Sequence, residues 1–162
     1  MRTSIYLPMA AMLLTAALAG PAVAAEKLVP FSGSLQGNET GTVQFPTLLI
    51  DGSGTGIATQ LGRFTATWKE TVNLLDLPVS GTGSMHLIAA NGDSIFTTHV
   101  GQAEPTGTPG VFRIVEINTI TGGTGRFAGA KGSFTMERLA DETTGFTSGS
   151  FRGTITSPGS AK

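Results

Sequence analysis

From Arg63 to Leu74 apolar and polar residues alternate with a period of two. Phe64, Ala66, Trp68, Glu70 and Val72 fall on one face, and Arg63, Thr65, Thr67, Lys69 and Thr71 on the other. That pattern predicts a half-buried β-strand. Shorter apolar runs recur along the chain. Leu28 to Leu35 reads as a first strand, placed by Pro30 at an edge or bulge. Gln36 to Gly41 reads as a turn, Thr42 to Ile50 as an extended segment interrupted by Pro46, and Asp51 to Gly56 as a glycine-rich connection. Ser84 to Ala90 and Ser94 to Gly101 flank Asn91-Gly92-Asp93, a strong hairpin signal because type I′ turns need φ > 0 at both central residues. Val111 to Thr121 is the most β-branched run, followed by Ser133 to Leu139 and Phe146 to Ile155. Leu74 to Pro78, Glu104 to Gly110 and Asp141 to Gly145 separate these strands as turns or loops, and 157–162 is expected to fray as a disordered tail.

No run is long and periodic enough for a substantial helix. The pattern therefore predicts an all-β domain of about eight antiparallel strands, within a range of about seven to nine, closed as a barrel or stacked as a sandwich. Between the last long strands lies Gly122-Gly123-Thr124-Gly125-Arg126-Phe127-Ala128-Gly129-Ala130-Lys131-Gly132. Such a glycine cluster marks a bend or a close backbone approach, and it reads as the closing corner of a barrel with Phe127 and Phe134 as apolar pegs. Gly-Thr-Gly recurs at 54–56, 81–83 and 123–125 at unequal intervals, which suggests a corner device rather than a true repeat.

Composition narrows the setting. Arg2, the apolar run Ile5 to Ala19, the helix break at Gly20-Pro21 and the small residues Ala22-Val23-Ala24 form a secretory signal pattern over residues 1–24. Cleavage is expected before Ala25 or Glu26, and export to the periplasm or medium follows. The remainder, from residue 25 to 156, suits a single barrel domain. The formal net charge is −1, with no basic run, so neither nucleic acid nor an anionic membrane surface is an expected partner. There is no cysteine, which removes disulfides, thiolate nucleophiles and cysteine metal sites. A membrane-spanning barrel needs aromatic girdles. One Trp and one Tyr, the latter being Tyr6 in the leader, cannot build them.

The stretch from Gly122 to Gly132 resembles the Gly-Thr-Gly-(Arg/Lys)-Phe…Ala-(Arg/Lys)-Gly signature of dirigent proteins and the matching region of allene oxide cyclases. The whole chain is similar to small exported bacterial proteins of unassigned role that carry a Gly-Gly-Thr-Gly-Arg-Phe-Ala-Gly-Ala core. The resemblance implies an eight-stranded antiparallel barrel, often a homo-oligomer such as a trimer, whose lumen holds a small hydrophobic or phenolic molecule. It gives Gly123, Gly125 and Gly132 the bend and Phe127 the packing beneath it. No residue matches the catalytic positions of either family, and the lack of cysteine removes a pocket residue seen in the cyclases.

Three charges interrupt mostly apolar faces. Glu70 shares a face with Trp68, Arg138 with Phe134 and Met136, and Glu116 with Phe112, Ile114 and Ile120. A buried charge needs a partner. Two carboxylates and a guanidinium meeting inside a barrel can fix a polar ligand group or do acid–base work. Trp68, Glu70, Phe112, Glu116, Phe134, Met136 and Arg138 are therefore the candidate ligand-binding residues, with Glu70, Glu116 and Arg138 the catalytic candidates. Alternatively, these faces point outward or the charges sit at strand ends in water. His86 and His99 lie on the hairpin arms. They face each other if Gly92-Asp93 is the loop, whereas an Asn91-Gly92 loop sets His86 against Thr97 and His99 against Ser84. No third ligand is spaced to join them, so they are expected at the surface or rim, with no metal and no cofactor. Gly122 to Gly125 lacks the Lys-Ser/Thr ending of a phosphate loop. The expected function is binding of a small apolar or phenolic molecule, with or without guiding its cyclisation or coupling. A solidly packed, non-catalytic envelope protein is the alternative. The inner face decides between them: Ala66, Ala89 and Gly153 leave space, whereas Phe64, Phe134 and Phe151 converging would fill it.

Overall fold

The computed structural model describes residues 27–159. Eight strands form a closed antiparallel barrel in sequence order: β1 (Leu28–Gln44), β2 (Thr47–Ala58), β3 (Gly62–Asn73), β4 (Val79–Ala89), β5 (Ser94–Pro105), β6 (Val111–Gly123), β7 (Gly132–Asp141) and β8 (Phe146–Thr156). One 3₁₀ turn, Gly125–Phe127, interrupts the β6–β7 connection. The expected leader and residues 160–162 lie outside the described residues. Ser157 and Gly159, in the segment expected to fray, donate backbone hydrogen bonds to Lys27 and Arg126 carbonyls. Among the described residues no helix is long and apolar enough to cross a membrane.

Closure falls to β1. Its first half pairs with β8, from Leu28 against Thr156 to Asn38 against Phe146. Its second half pairs with β2, out to Gln44 against Thr47. The Gly122–Gly132 stretch is therefore not the closing corner. It caps one end of the barrel, the lower end here, where Phe127 is buried at 1% exposure and the N–H groups of Phe127, Ala128 and Ala130 find carbonyls within the turn. Gly125 takes φ +56 there, and an added Cβ would strike the Asp93 carboxylate.

Two further corrections concern glycine. Gln36 to Gly41 is not a turn, and Asp51 to Gly56 is not a loop. Both lie within paired strands. On β2 the glycines occupy alternate positions, 52, 54 and 56, between the exposed Asp51, Ser53, Thr55 and Ile57. They are the inward face of the strand. A Cβ at Gly52 would run into the Trp68 indole, and one at Gly56 into the Phe64 ring. The Gly-Thr-Gly copies at 54–56 and 81–83 are likewise mid-strand, with glycine inward and threonine outward.

The hairpin between β4 and β5 also departs from both expected registers. Ala89 N–H bonds to Asp93 O and Gly92 N–H to Ala89 O, so three residues form the loop, with Gly92 at φ +88. His86 then opposes Phe96, and His99 opposes Gly83. A bulge between Phe96 and Thr97 shifts the β5–β6 register, leaving Thr121 unopposed.

The inner face divides the lumen into two halves. Below, Phe31, Phe134 and Phe151 meet with ring centroids 4.9–5.4 Å apart, and Phe64 joins at 6.4 Å from Phe151. Leu87, Ile95, Ile120 and Ile155 complete this core. The upper half is hollow.

Gly52→Ala is expected to destabilise the barrel by about 1–3 kcal/mol, because the new methyl overlaps the Trp68 ring. In a double-mutant cycle with Trp68→Phe, thermal melts should show that the two losses are not additive, the smaller ring relieving the overlap.

Candidate functional site

Arg138 rises from the inner face of β7 at the boundary between the two halves, and is 3% exposed. Gly149 opposes it on β8, and a Cβ there would collide with the Arg138 side chain. All five guanidinium N–H groups are engaged. Nε donates to Glu116 Oε1 at 3.0 Å. Nη2 donates to Glu116 Oε1 at 2.9 Å and to Glu70 Oε1 at 2.7 Å. Nη1 donates to Glu39 Oε2 at 2.8 Å and to Thr147 Oγ1 at 3.0 Å. The carboxylates come from β6, β3 and β1 and the Thr147 hydroxyl from β8, so one cation on β7 ties five strands together.

Each partner is seated in the same way. Glu116 opposes Gly101 on β5, and Glu70 opposes Gly83 on β4. Gly83 also opposes His99, and a Cβ there would strike the imidazole as well as the Lys69 carbonyl. His99 is 4% exposed, with Nε2 standing 3.5 Å from Glu70 Oε1. Neither of its ring nitrogens makes a hydrogen bond, nor does Glu116 Oε2, in a residue 1% exposed. Trp68 Nε1 donates to Glu39 Oε2 at 3.2 Å.

Above this polar floor stands a cup of about 450 Å³. Its walls are largely apolar, among them Val43, Leu48, Ile50, Val72, Phe112 and Ile114, while Glu39, Glu70, His99 and Glu116 reach it from the floor. Gly41, Gly81 and Gly101 keep the walls thin. Val43, Phe45, Leu75 and Leu77 are exposed on or beside the connections at this end.

Electrostatics separate the acids. Burial pushes the Glu116 carboxyl up to about 7, against the pull of Arg138. Burial acts the same way on Glu70, but His99 and Arg138 outweigh it and hold that carboxyl well below the usual range. Burial also raises Glu39, again against Arg138. Burial alone would favour neutral Arg138, but Glu116, Glu70 and Glu39 outweigh it and raise its pKa further.

Glu70, Glu116 and Arg138, singled out in the sequence, are thus brought together. Phe112 stands in the cup wall. Trp68 lies at the boundary and binds Glu39. Phe134 and Met136 sit in the packed lower half and do not line the cup. Gly123 lies against Phe127, and Gly132, at φ +141, lies against Thr154 and Ile155. His86 faces outward and stacks on Phe96 at 4.7 Å, whereas His99 is on the floor rather than at the surface. Glu39 was missed because Gln36 to Gly41 resembles a turn. The alternation of Leu35, Gly37 and Glu39 on the inner face was the available signal. No protein-family model, no curated protein and no solved structure matches the chain.

Two predictions follow from the charge cluster. Glu116 has its folded-state pKa raised from 4.5 to about 7, so its contribution to stability is intact below about pH 4.5 and is lost as pH rises through 7. At about 1.36 kcal/mol per pKa unit the loss is on the order of 3 kcal/mol. Thermal melts in chelator-containing buffer should therefore fall between pH 5 and 8, and Glu116→Gln should flatten that slope. Glu70 acts in the opposite sense: its contribution is present above about pH 4.5 and is lost as pH falls through about 2. Arg138→Met leaves three carboxylates without their cation and should cost about 3–5 kcal/mol at neutral pH, read by urea unfolding.

Proposed function

We propose that this protein is an exported barrel of the allene oxide cyclase and dirigent type, and that its cup binds a small, largely apolar molecule through a hydroxyl donor such as a phenol. The observation that carries the reading is the division of labour on the floor. Every N–H of Arg138 is already engaged, so the cation has nothing left for an anionic ligand. The inward groups without a hydrogen bond are Glu116 Oε2, an acceptor when the carboxyl is ionised above about pH 7, the His99 nitrogens, and Asn118 Nδ2 across the strand pair from His99. Above about pH 7, where Glu116 is ionised, a donor therefore fits and a carboxylate does not. The cup's size falls in the range usual for small-molecule sites, and its apolar walls suit a hydrocarbon body. The exposed apolar side chains near the mouth favour the same kind of ligand. The packed-barrel alternative describes only the lower half of the lumen.

A second reading is favoured by the open oxygen of Glu116. A hydroxyl bound there stands where that carboxylate can take its proton as the oxygen attacks an electrophilic carbon of the same molecule, and can return the proton to the product. This would let the cup promote an internal cyclisation without change of oxidation state. In that case Glu116→Gln, which keeps an acceptor for Arg138, abolishes turnover while leaving cooperative melting intact. Loss of both together would mark the residue as structural.

The binding test compares 4-propylphenol, its methyl ether and 4-propylbenzoate by calorimetry at about pH 8, where Glu116 is ionised, in chelator-containing buffer. A hydrogen bond to a charged acceptor is worth about 1.5–3 kcal/mol. The phenol should bind roughly 10–100-fold tighter than the ether, the benzoate should not bind, and Glu116→Gln should narrow the gap. Equal affinity for phenol and benzoate would overturn the reading.

A further inference from the structure

We infer that Glu70, His99 and Glu116 form a binding site for a divalent transition-metal ion of the zinc class, opening onto the cup. One potential ligand atom from each residue lies within 4.8 Å of the other two. Metal–ligand bonds of about 2.0–2.2 Å place tetrahedral ligands roughly 3.5 Å apart. His99 Nε2 and Glu70 Oε1 already stand at 3.5 Å, so only the third vertex must close.

The independent pointer is the imidazole. A buried histidine normally satisfies both ring nitrogens, one as donor and one as acceptor. His99 makes no hydrogen bond through either, although it is 4% exposed, and Nε2 has only the Glu70 oxygen at 3.5 Å beside it. Glu116 Oε2 is unsatisfied beside it in the same cluster. An ion shared between them would satisfy one atom of each. Charge agrees. With its acids ionised, the cluster of Glu39, Glu70, Glu116 and Arg138 carries −2, and a divalent cation brings it to neutrality where the medium screens poorly. Arg138 holds Oε1 of both ligating carboxylates, as outer-shell donors hold metal ligands, and leaves Glu116 Oε2 open.

The donor set selects the ion. An imidazole nitrogen with two carboxylates suits Zn²⁺, for which Co²⁺ is a spectroscopic stand-in, better than Mg²⁺ or Ca²⁺, which prefer oxygen alone. Three protein ligands leave a coordination position for a water or a bound oxygen on the cup side.

The test needs no organic ligand, so its failure is separate from failure of phenol binding in chelator. The purified protein is stripped with chelator, dialysed and titrated with ZnCl₂ by calorimetry, then with CoCl₂ by visible absorption. One saturable Zn²⁺ per chain is expected, not displaced by excess MgCl₂, with cobalt ligand-field bands on Co²⁺ addition. His99→Gln should weaken Zn²⁺ binding by more than the roughly 10–100-fold that loss of an outer-shell partner costs, and should remove the bands. Glu116→Gln should weaken it as well, and it serves if His99→Gln does not melt cooperatively. His86→Gln, on the outer face, should change nothing. A folded wild-type protein with no saturable site would overturn the inference, as would binding that survives His99→Gln and Glu116→Gln or is lost in His86→Gln.

Discussion

A narrow barrel has little room for large inward side chains on neighbouring strands, and pairing most of them with a glycine on at least one side organises much of the lumen. All four phenylalanines of the packed half and every charged floor residue have a glycine across one strand pair, whereas Met136 packs directly between Glu116 and Phe151. In the lower half Gly153 lies between Phe31 and Phe134, Gly33 opposes Phe151, and Gly56 opposes Phe64. At the boundary Gly52 opposes both Glu39 and Trp68. On the floor Gly83 opposes Glu70 and His99, Gly101 opposes Glu116, and Gly149 opposes Arg138. The glycines thus act by lacking a Cβ, which lets rings and charged heads lie across the neighbouring strand. Register follows from the same fit. A slip of one residue would turn each glycine outward and set a side chain against a ring.

That device explains which parts of the fold were legible in the sequence. β3 carries large residues on its inner face, so its alternation from Phe64 to Val72 was plain, and Glu70 was placed correctly among them. β7, with Phe134, Met136 and Arg138, was equally plain. β2 is the complementary strand, and its inner face is Gly52, Gly54 and Gly56. To a reader of local propensities such a strand looks like a loop, because glycine is the usual punctuation of turns. The same error concealed the middle of β1 and with it Glu39. The remedy is to test glycines for period two before reading them as breaks. His99 was misplaced for a different reason. A three-residue loop with glycine in its last position and a two-residue Asn-Gly loop share their residues here, and they differ in which side of the sheet the second arm presents.

Arg138 is the other organising element, and its energetics are less favourable than its connectivity suggests. Removing one cation and three acids from water is expensive, and comparable buried clusters can be exchanged for hydrocarbon without loss of stability. The lower half of this lumen shows that the chain can fill the barrel with phenylalanine, leucine and isoleucine. Stability alone therefore gives no reason for a layer of Glu39, Glu70, Glu116, His99 and Arg138 at mid-height. Its position argues for use. It lies where the packed core ends and the cup begins, and its unsatisfied atoms belong to residues that reach the cup.

The packed half and the hollow half are mechanically linked. The chain has no disulfide to brace it, so rigidity must come from strand pairing around a closed circuit and from the aromatic core below. Every charged floor residue is carried on a strand rather than a loop, and each is seated against a glycine on the adjacent strand. Geometry set this way is fixed before any ligand arrives, so little ordering cost remains for binding to meet. Variation is then free to accumulate at the mouth, where the β1–β2, β3–β4, β5–β6 and β7–β8 connections meet solvent. Under the binding proposed above, substitutions at Phe45, Leu75 or Leu77 would alter the hydrocarbon admitted while the floor kept its selection for the same polar group.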